Sequence, residues 1–96
     1  MELEIVENKK QKRFEVVING KTALIEYIRA EDKMYLTHTE VPKEFEGQGV
    51  ASSMVKQVLQ QIDREELKLV PHCPFVAAYL KRHPEWHYLL AKGYSV

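Results

Sequence analysis

The 96-residue chain lacks the features that mark several large classes of protein. Its single cysteine, Cys73, cannot form a disulfide within the chain, which is typical of a reducing compartment and predicts a cytoplasmic protein. The 14 Lys and Arg residues balance the 14 Asp and Glu residues. The sequence therefore lacks the excess of basic residues that would indicate binding to nucleic acid or to a membrane surface. No apolar run approaches the length of a membrane span, and no secretory signal is expected.

The first forty residues alternate between apolar and polar side chains, which predicts four antiparallel strands beginning with Leu3 and Ile5. Asn19-Gly20 is the strongest turn signal, because both residue types tolerate positive φ in a tight hairpin. The fourth strand is expected over 34–41. Its even positions are predicted to share one face of the sheet: Met34, Leu36, His38 and Glu40.

The apolar period then changes to three and four residues, which predicts an amphipathic helix over about 47–64. A short strand over 66–70 follows, and the strand–helix–strand order predicts that this strand runs parallel to the fourth. A second helix is expected to begin at Pro74 and to stop before Pro84, while 86–91 is ambiguous. The predicted fold is therefore one mixed α/β sheet with two helices, in a single domain spanning 1–96.

The loop that precedes the first helix contains two glycines, Gly47 and Gly49, followed by the small side chains of Ala51 and Ser52. Small residues at a helix N-terminus leave backbone N–H groups open, and the helix dipole favours an anion there, which indicates a phosphate site. The loop lacks the Gly-Lys-Ser/Thr of nucleotide-hydrolysing loops, and Ser52 replaces the third glycine of a dinucleotide fingerprint. The alternative interpretation is a glycine turn that only feeds the helix.

Two further residues are candidates for chemistry. Cys73 directly precedes Pro74 and is predicted to lie at the N-cap of the second helix, a place that favours the thiolate; the alternative is a buried, inert thiol. His38 lies on the strand that leads into the glycine loop, where a neutral imidazole can accept a proton; the alternative is a structural histidine. No metal site is predicted, because Pro84 interrupts the helix that would align His83 with His87.

The order of elements and the loop resemble the GNAT acetyltransferase superfamily. Its coenzyme A loop reads Gln/Arg-x-x-Gly-x-Gly/Ala, and Glu46-Gly-Gln-Gly-Val-Ala51 matches except at Glu46. The resemblance is closer to a branch of short single-domain proteins, the NATD1 type, which carries a His-Thr-x-Val segment and a cysteine that opens the last helix. The matching segments here are His38-Thr-Glu-Val41 and Pro71-His-Cys-Pro-Phe-Val-x-x-Tyr79. This branch lacks the final strand pair of longer members.

The resemblance implies an acetyl-CoA-dependent N-acetyltransferase that modifies an unidentified amine. It implies that the following residues bind the cofactor, by backbone or side chain: Glu40, Val41, Gly47, Gln48, Gly49, Val50, Ala51, Ser52, Cys73, Phe75 and Tyr79. It also implies two routes, direct transfer with His38 as base or transfer through an acetyl group on Cys73. Two other functions stay open: a coenzyme A-binding or sensing module without turnover, and a protein-interaction domain.

Overall fold

The structure is a computed structural model that describes residues 3–96. Five strands form one sheet in chain order: β1 (Val6–Asn8), β2 (Arg13–Ile18), β3 (Lys21–Ala30), β4 (Lys33–Glu40) and β5 (Lys68–Pro71). Neighbouring strands are antiparallel except β4 and β5, which are parallel. Helix α1 (Val50–Arg64) joins those two strands, and helix α2 (Pro74–Arg82) follows β5. The predicted mixed sheet with two helices is confirmed.

Both helices contribute to one core that covers a single face of the sheet. The predicted apolar stripe of α1 is fully buried and consists of Val50, Met54, Val55, Val58, Leu59 and Ile62. It belongs to the same cluster as Phe14, Ile25 and Leu36 of the sheet and Leu80 of α2. The other face of the sheet carries exposed apolar side chains, with Val17 64% and Ile28 53% exposed. The sheet therefore has a helical face and an open face.

Local signals predicted most turns but not all element ends. Asn19 and Gly20 have φ of 51° and 77°, so the predicted hairpin is confirmed. Strand β1 starts at Val6, and Leu3 and Ile5 pack against the core outside it, so the earlier strand start was wrong. The ambiguous segment near the C-terminus forms a 3₁₀ helix, Pro84–Leu89, followed by a single bridge to β5.

The prediction that four even positions of β4 share a face is wrong, because the pairing of β3 with β4 contains a β-bulge. Leu36 pairs with Tyr27 and His38 pairs with Glu26, so Thr37 is the extra residue. A bulge shifts the alternation of side chains by one position. Met34 and Leu36 are buried on the helical face, whereas His38 and Glu40 are exposed on the open face.

Strands β4 and β5 separate at the end where both helices begin. Their pairing ends at Leu36 opposite Pro71, and the backbone N–H of Cys73 donates to the Leu36 carbonyl at 2.8 Å. From there β4 continues to Glu40 with β3 alone as its partner, while the chain after β5 turns into α2. Residues 37–40 of β4 thus have no strand beside them on the β5 side. No helix within residues 3–96 has the length and hydropathy needed to cross a membrane.

Candidate active site

A cleft of about 640 Å³ opens at this separation of the strands. Its walls come from the end of β4, the segment that enters α1, the first turn of α1 and the start of α2. The lining residues are Thr39, Glu40, Val41, Phe45, Glu46, Gly47, Gly49, Val50, Ala51, Ser52 and Phe75. Eight of the eleven cofactor-binding positions predicted from the sequence line the cleft: Glu40, Val41, Gly47, Gly49, Val50, Ala51, Ser52 and Phe75.

The N-terminus of α1 forms one wall of the cleft and presents backbone donors to it. The first bond of the helix joins the Ser53 N–H to the Gly49 carbonyl at 2.9 Å. The N–H groups of Val50, Ala51 and Ser52 precede that bond, so they have no acceptor within the helix. Its first turn has no acidic residue and Gly49 has no side chain to cap it, so an anion bound here would meet uncovered amides.

Gly49 caps α1 in a backbone conformation that restricts substitution. Its φ is 80°, in the left-handed region that favours glycine, and Gly47 has a φ of 79°. A Cβ built at either position meets nothing within 4 Å. The glycines are therefore required by the path of the backbone and by access to the cleft. Steric crowding by other residues of the described chain does not require glycine at either position.

The charged residues that line the cleft are acidic. Glu40 and Glu46 line it, and no Lys or Arg is among its lining residues in the described part of the chain. On the preceding 3₁₀ helix, Lys43–Phe45, the Glu44 carboxylate pairs with Lys21 at 2.8 Å, which lowers the pKa of Glu44. A phosphate in this cleft would thus be held by backbone amides and the helix dipole, without a basic side chain on the wall.

Cys73 is the N-cap residue of α2, as the sequence predicted. Its side chain is only 3% exposed and does not appear on the cleft wall. The thiol Sγ lies 3.2 Å from the hydroxyl Oγ1 of Thr39, which does line the cleft. The buried thiol is therefore in contact with a residue of the cleft wall.

His38 lies on the other side of the sheet from Cys73. Its imidazole Nε2 is 3.4 Å from the carboxylate of Glu40, and both side chains are more than half exposed, at 54% and 67%. The expected position of His38 beside the apolar face of β4 is wrong because of the bulge at Thr37. The imidazole instead lies on the open face of the sheet, next to the place where β4 and β5 separate.

Two remaining predicted residues do not line the cleft. Tyr79 lies on α2 one turn after Phe75, is 4% exposed, and stacks on His83 with ring centroids 4.1 Å apart. Burial raises the pKa of Tyr79, and the Glu85 carboxylate adds to that effect. Gln48 is not among the lining residues, and its side-chain amide donates to the Glu44 carbonyl at 2.9 Å.

Comparison with known proteins identifies the family. A profile of the GCN5-related N-acetyltransferase family matches residues 13–89. The chain belongs to that family. The protein NATD1 of Mus musculus is 35% identical, over 88% of this chain and 80% of its own length. NATD1 of Xenopus tropicalis is 31% identical over 91% and 83%, and NATD1 of Homo sapiens 30% identical over 91% and 80%.

A solved structure of a GCN5-related protein has the same fold. The solution NMR structure of a Staphylococcus aureus protein, provisionally assigned as a GCN5-like N-acetyltransferase, superposes with a TM-score of 0.72. It is 25% identical, and the match covers 93% of this chain and 88% of that one. The short GCN5-related fold predicted from the sequence is thus confirmed. Membership of this family indicates a general acetyltransferase function.

Three residues that line this GCN5-related site are not among the predicted cofactor-binding residues: Thr39, Phe45 and Glu46. Thr39 was not considered because strict alternation along β4 would place it on the open face. Phe45 is 7% exposed and anchors the segment before the glycines to the core. Its signal was an aromatic residue within an otherwise polar stretch, Lys43-Glu-Phe-Glu46. Within residues 3–96 no group of three or more potential metal ligands comes together.

Proposed function

We propose that the chain transfers an acetyl group from acetyl-CoA to an amine, with the cosubstrate bound in the cleft between β4, α1 and α2. The single observation that carries the proposal is the coincidence of uncovered amides and an unpaired strand edge in one cleft. The amides of Val50, Ala51 and Ser52 suit a pyrophosphate. The backbone of Glu40 and Val41, beyond the last pairing with β5, suits the two amide groups of the pantetheine arm.

The cleft also provides an apolar wall for that arm. Val41, Phe45 and Phe75 are among the residues that line it. Phe75 is the second residue of α2, so the thioester end of the arm would point towards the start of this helix. On this proposal the predicted catalytic residues would lie near that end: Cys73 is buried in contact with Thr39, and His38 is on the open face.

The chemistry requires an amine that has lost a proton. In direct transfer the amine nitrogen attacks the thioester carbonyl carbon, the carbon–sulfur bond breaks, and coenzyme A leaves as its thiol. His38, or a water that it orients, would accept the amine proton. In the other route the Cys73 thiol takes the acetyl group first and the amine removes it. Both routes remain part of the proposal.

A second candidate is a coenzyme A-binding or sensing module without turnover. The sheet of residues 3–96 ends at β5, and beyond it only Leu90 makes a bridge, to Leu69. An acceptor would therefore find little further wall within the described chain. This candidate shares the cleft but predicts that bound acetyl-CoA stays intact when amines are added.

The test is a titration of the ¹⁵N-labelled protein with acetyl-CoA, read by two-dimensional NMR. The amide signals of 47 and 49–52 are expected to shift most, because the pyrophosphate would accept hydrogen bonds from that segment. S-acetyl-pantetheine, which lacks the pyrophosphate, is the matched control and is expected to bind much more weakly. Equal binding of the two compounds, or shifts confined to other residues, would contradict the site.

Turnover is tested separately, with a panel of amines that covers lysine side chains, peptide N-termini and polyamines. Release of coenzyme A thiol together with acetylated amine, both measured by mass spectrometry, is expected for the transferase. Saturable binding with neither product would favour the sensing module. Absence of any binding would contradict both.

A further inference from the structure

Thr39 joins the cleft to the buried thiol. Thr39 lines the cleft, and its hydroxyl Oγ1 is 3.2 Å from Sγ of Cys73, a distance at which either atom can donate. The thiol itself is 3% exposed and is not part of the wall. Thr39 is therefore in contact with both the cleft and the thiol.

The position of Thr39 is fixed by the bulge in β4. Thr37 is the extra residue, and its own hydroxyl donates to the Glu26 carbonyl at 3.3 Å on the side of β3. The next pair places Thr39 opposite Ile25, which is fully buried on the helical face. Without the extra residue, His38 would take the helical face and Thr39 the open face.

We propose that the Thr39 hydroxyl carries the proton of the Cys73 thiol to the sulfur of coenzyme A when the acetyl group moves onto Cys73. The inference rests on the proposed function and deepens its second route. A hydroxyl is suited to this task because it donates one hydrogen bond while it accepts others. It is also the described polar group that both faces the cleft and contacts Sγ.

The step is balanced without any other reactant. Sγ attacks the thioester carbonyl carbon and forms a new carbon–sulfur bond, and the bond from that carbon to the coenzyme A sulfur breaks. The thiol proton passes to Oγ1 while the proton of Oγ1 passes to the departing sulfur. One thioester and one thiol are consumed and one of each is formed, so the threonine ends in its starting state.

The test compares two substitutions that separate the hydroxyl from the shape of the side chain. Thr39→Val keeps the branched shape and removes the hydroxyl, and Thr39→Ser keeps the hydroxyl and removes the methyl group. The rate at which acetyl-CoA alone adds one acetyl group to Cys73 is measured by intact-protein mass spectrometry. Loss of a proton-transfer group typically costs about 10²-fold or more in rate, which is the decrease expected for Thr39→Val.

Thr39→Ser is expected to stay within about threefold of the parent rate, far less than the roughly 10²-fold or greater loss that follows removal of a proton-transfer group. Thr37→Val is the matched control, because it is the same chemical change two residues away on the same strand. It is expected to leave the rate unchanged. All variants are also titrated with acetyl-CoA, and their affinity is expected to equal that of the parent.

Each other outcome overturns the inference. An unchanged rate in Thr39→Val removes the hydroxyl from the step, and failure of Thr39→Ser to restore the rate assigns the effect to packing. Equal losses in Thr39→Val and Thr37→Val indicate a general effect on β4. If the parent binds acetyl-CoA and acetylates amines but never carries an acetyl group on Cys73, the inference fails and the proposed function stands. If the parent does not bind acetyl-CoA, both fail.

Discussion

The two residues predicted to do chemistry lie on opposite faces of the sheet at the place where β4 and β5 separate. Cys73 is on the helical face, behind Thr39, and His38 is on the open face beside Glu40. Direct proton exchange between the imidazole and the thiol is therefore excluded by their placement in this arrangement. Their contributions are separable by experiment, since each belongs to a different one of the two proposed routes.

His38→Gln is predicted to slow acetylation of the amine by about 10²–10⁴-fold, the usual cost of removing a general base. Acetylation of Cys73 by acetyl-CoA is expected to continue at the parent rate, because the imidazole does not face the thiol. The measurement is single-turnover mass spectrometry of each step. His72→Gln is the control, since His72 is also exposed but lies against Tyr35, with ring centroids 5.5 Å apart.

An equal loss in both steps, together with a lower melting temperature, would mark His38 as structural. A full rate of amine acetylation in His38→Gln would exclude it as the base. Glu40→Gln extends the test to the partner of the imidazole. If Glu40 orients the imidazole, this variant is expected to lower the amine step alone.

At the scale of elements, the sequence predicted which segments form helices and strands better than which way their side chains point. The spacing of apolar residues in α1 was sufficient, because every residue of its stripe contacts the same core. The alternation along β4 failed at Thr37, because a bulge depends on how β3 pairs with β4 and Thr37-His38-Thr39 carries no local signal for it. That one extra residue decides that Thr39, and not His38, meets Cys73.

The start of α1 is the element on which the cosubstrate site depends. The helix was expected from about residue 47 but begins at Val50, since Gly47 and Gly49 adopt positive φ and turn the chain first. This shift defines which amides are free. It also makes Gly49 a poor place for a test, because any side chain there would strain the backbone as well as meet the ligand.

Ala51→Glu is predicted to weaken binding of acetyl-CoA while it maintains or raises the melting temperature. A carboxylate in the first turn of α1 stabilises a helix by about 0.3–1 kcal/mol through the dipole. The same carboxylate repels a phosphate: at about 8 Å and an effective dielectric constant of about 20, two unit charges repel by about 2 kcal/mol, which is roughly 30-fold in affinity. Calorimetry with acetyl-CoA measures the affinity.

Ala51→Gln has almost the same size without the charge and is the matched control for Ala51→Glu. It is expected to bind within about threefold of the parent if charge, as distinct from bulk, is what the site excludes. Equal weakening in both variants would indicate a steric effect. Parent-like affinity in Ala51→Glu would place the phosphates elsewhere.

At the scale of the whole molecule, contacts between distant segments tie the edge strand β1 to α1. The Tyr27 hydroxyl donates to the Glu7 carboxylate at 2.6 Å, and the Gln61 side-chain amide donates to the other oxygen of that carboxylate at 2.8 Å. The three residues lie on β3, β1 and α1. Sequence spacing has no means to predict such a contact, since the partners are 20 and 54 positions apart.

Because of this cluster, the stability of the folded protein is expected to change with pH in the alkaline range. Burial first, and then the hydrogen bond to Glu7, raise the pKa of Tyr27 well above its ordinary value of 10.0. An unfolded chain releases this proton near pH 10, whereas the folded protein retains it. Between those two pKa values the unfolded state binds fewer protons, so the free energy of unfolding falls as pH rises, by about 1.4 kcal/mol per pH unit for one such group.

Tyr27→Phe is therefore predicted to lower stability at pH 7 and to flatten its decline above pH 10. The loss at pH 7 is expected to be about 0.5–3 kcal/mol, because a buried hydrogen bond to a charged group disappears while Gln61 still partners Glu7. Urea unfolding from pH 7 to pH 11 measures both effects. Tyr94→Phe removes a phenol that is 40% exposed and is expected to keep the parent's dependence on pH. A parallel decline in Tyr27→Phe and the parent would show that Tyr27 keeps its ordinary acidity and that β1 is held by packing alone.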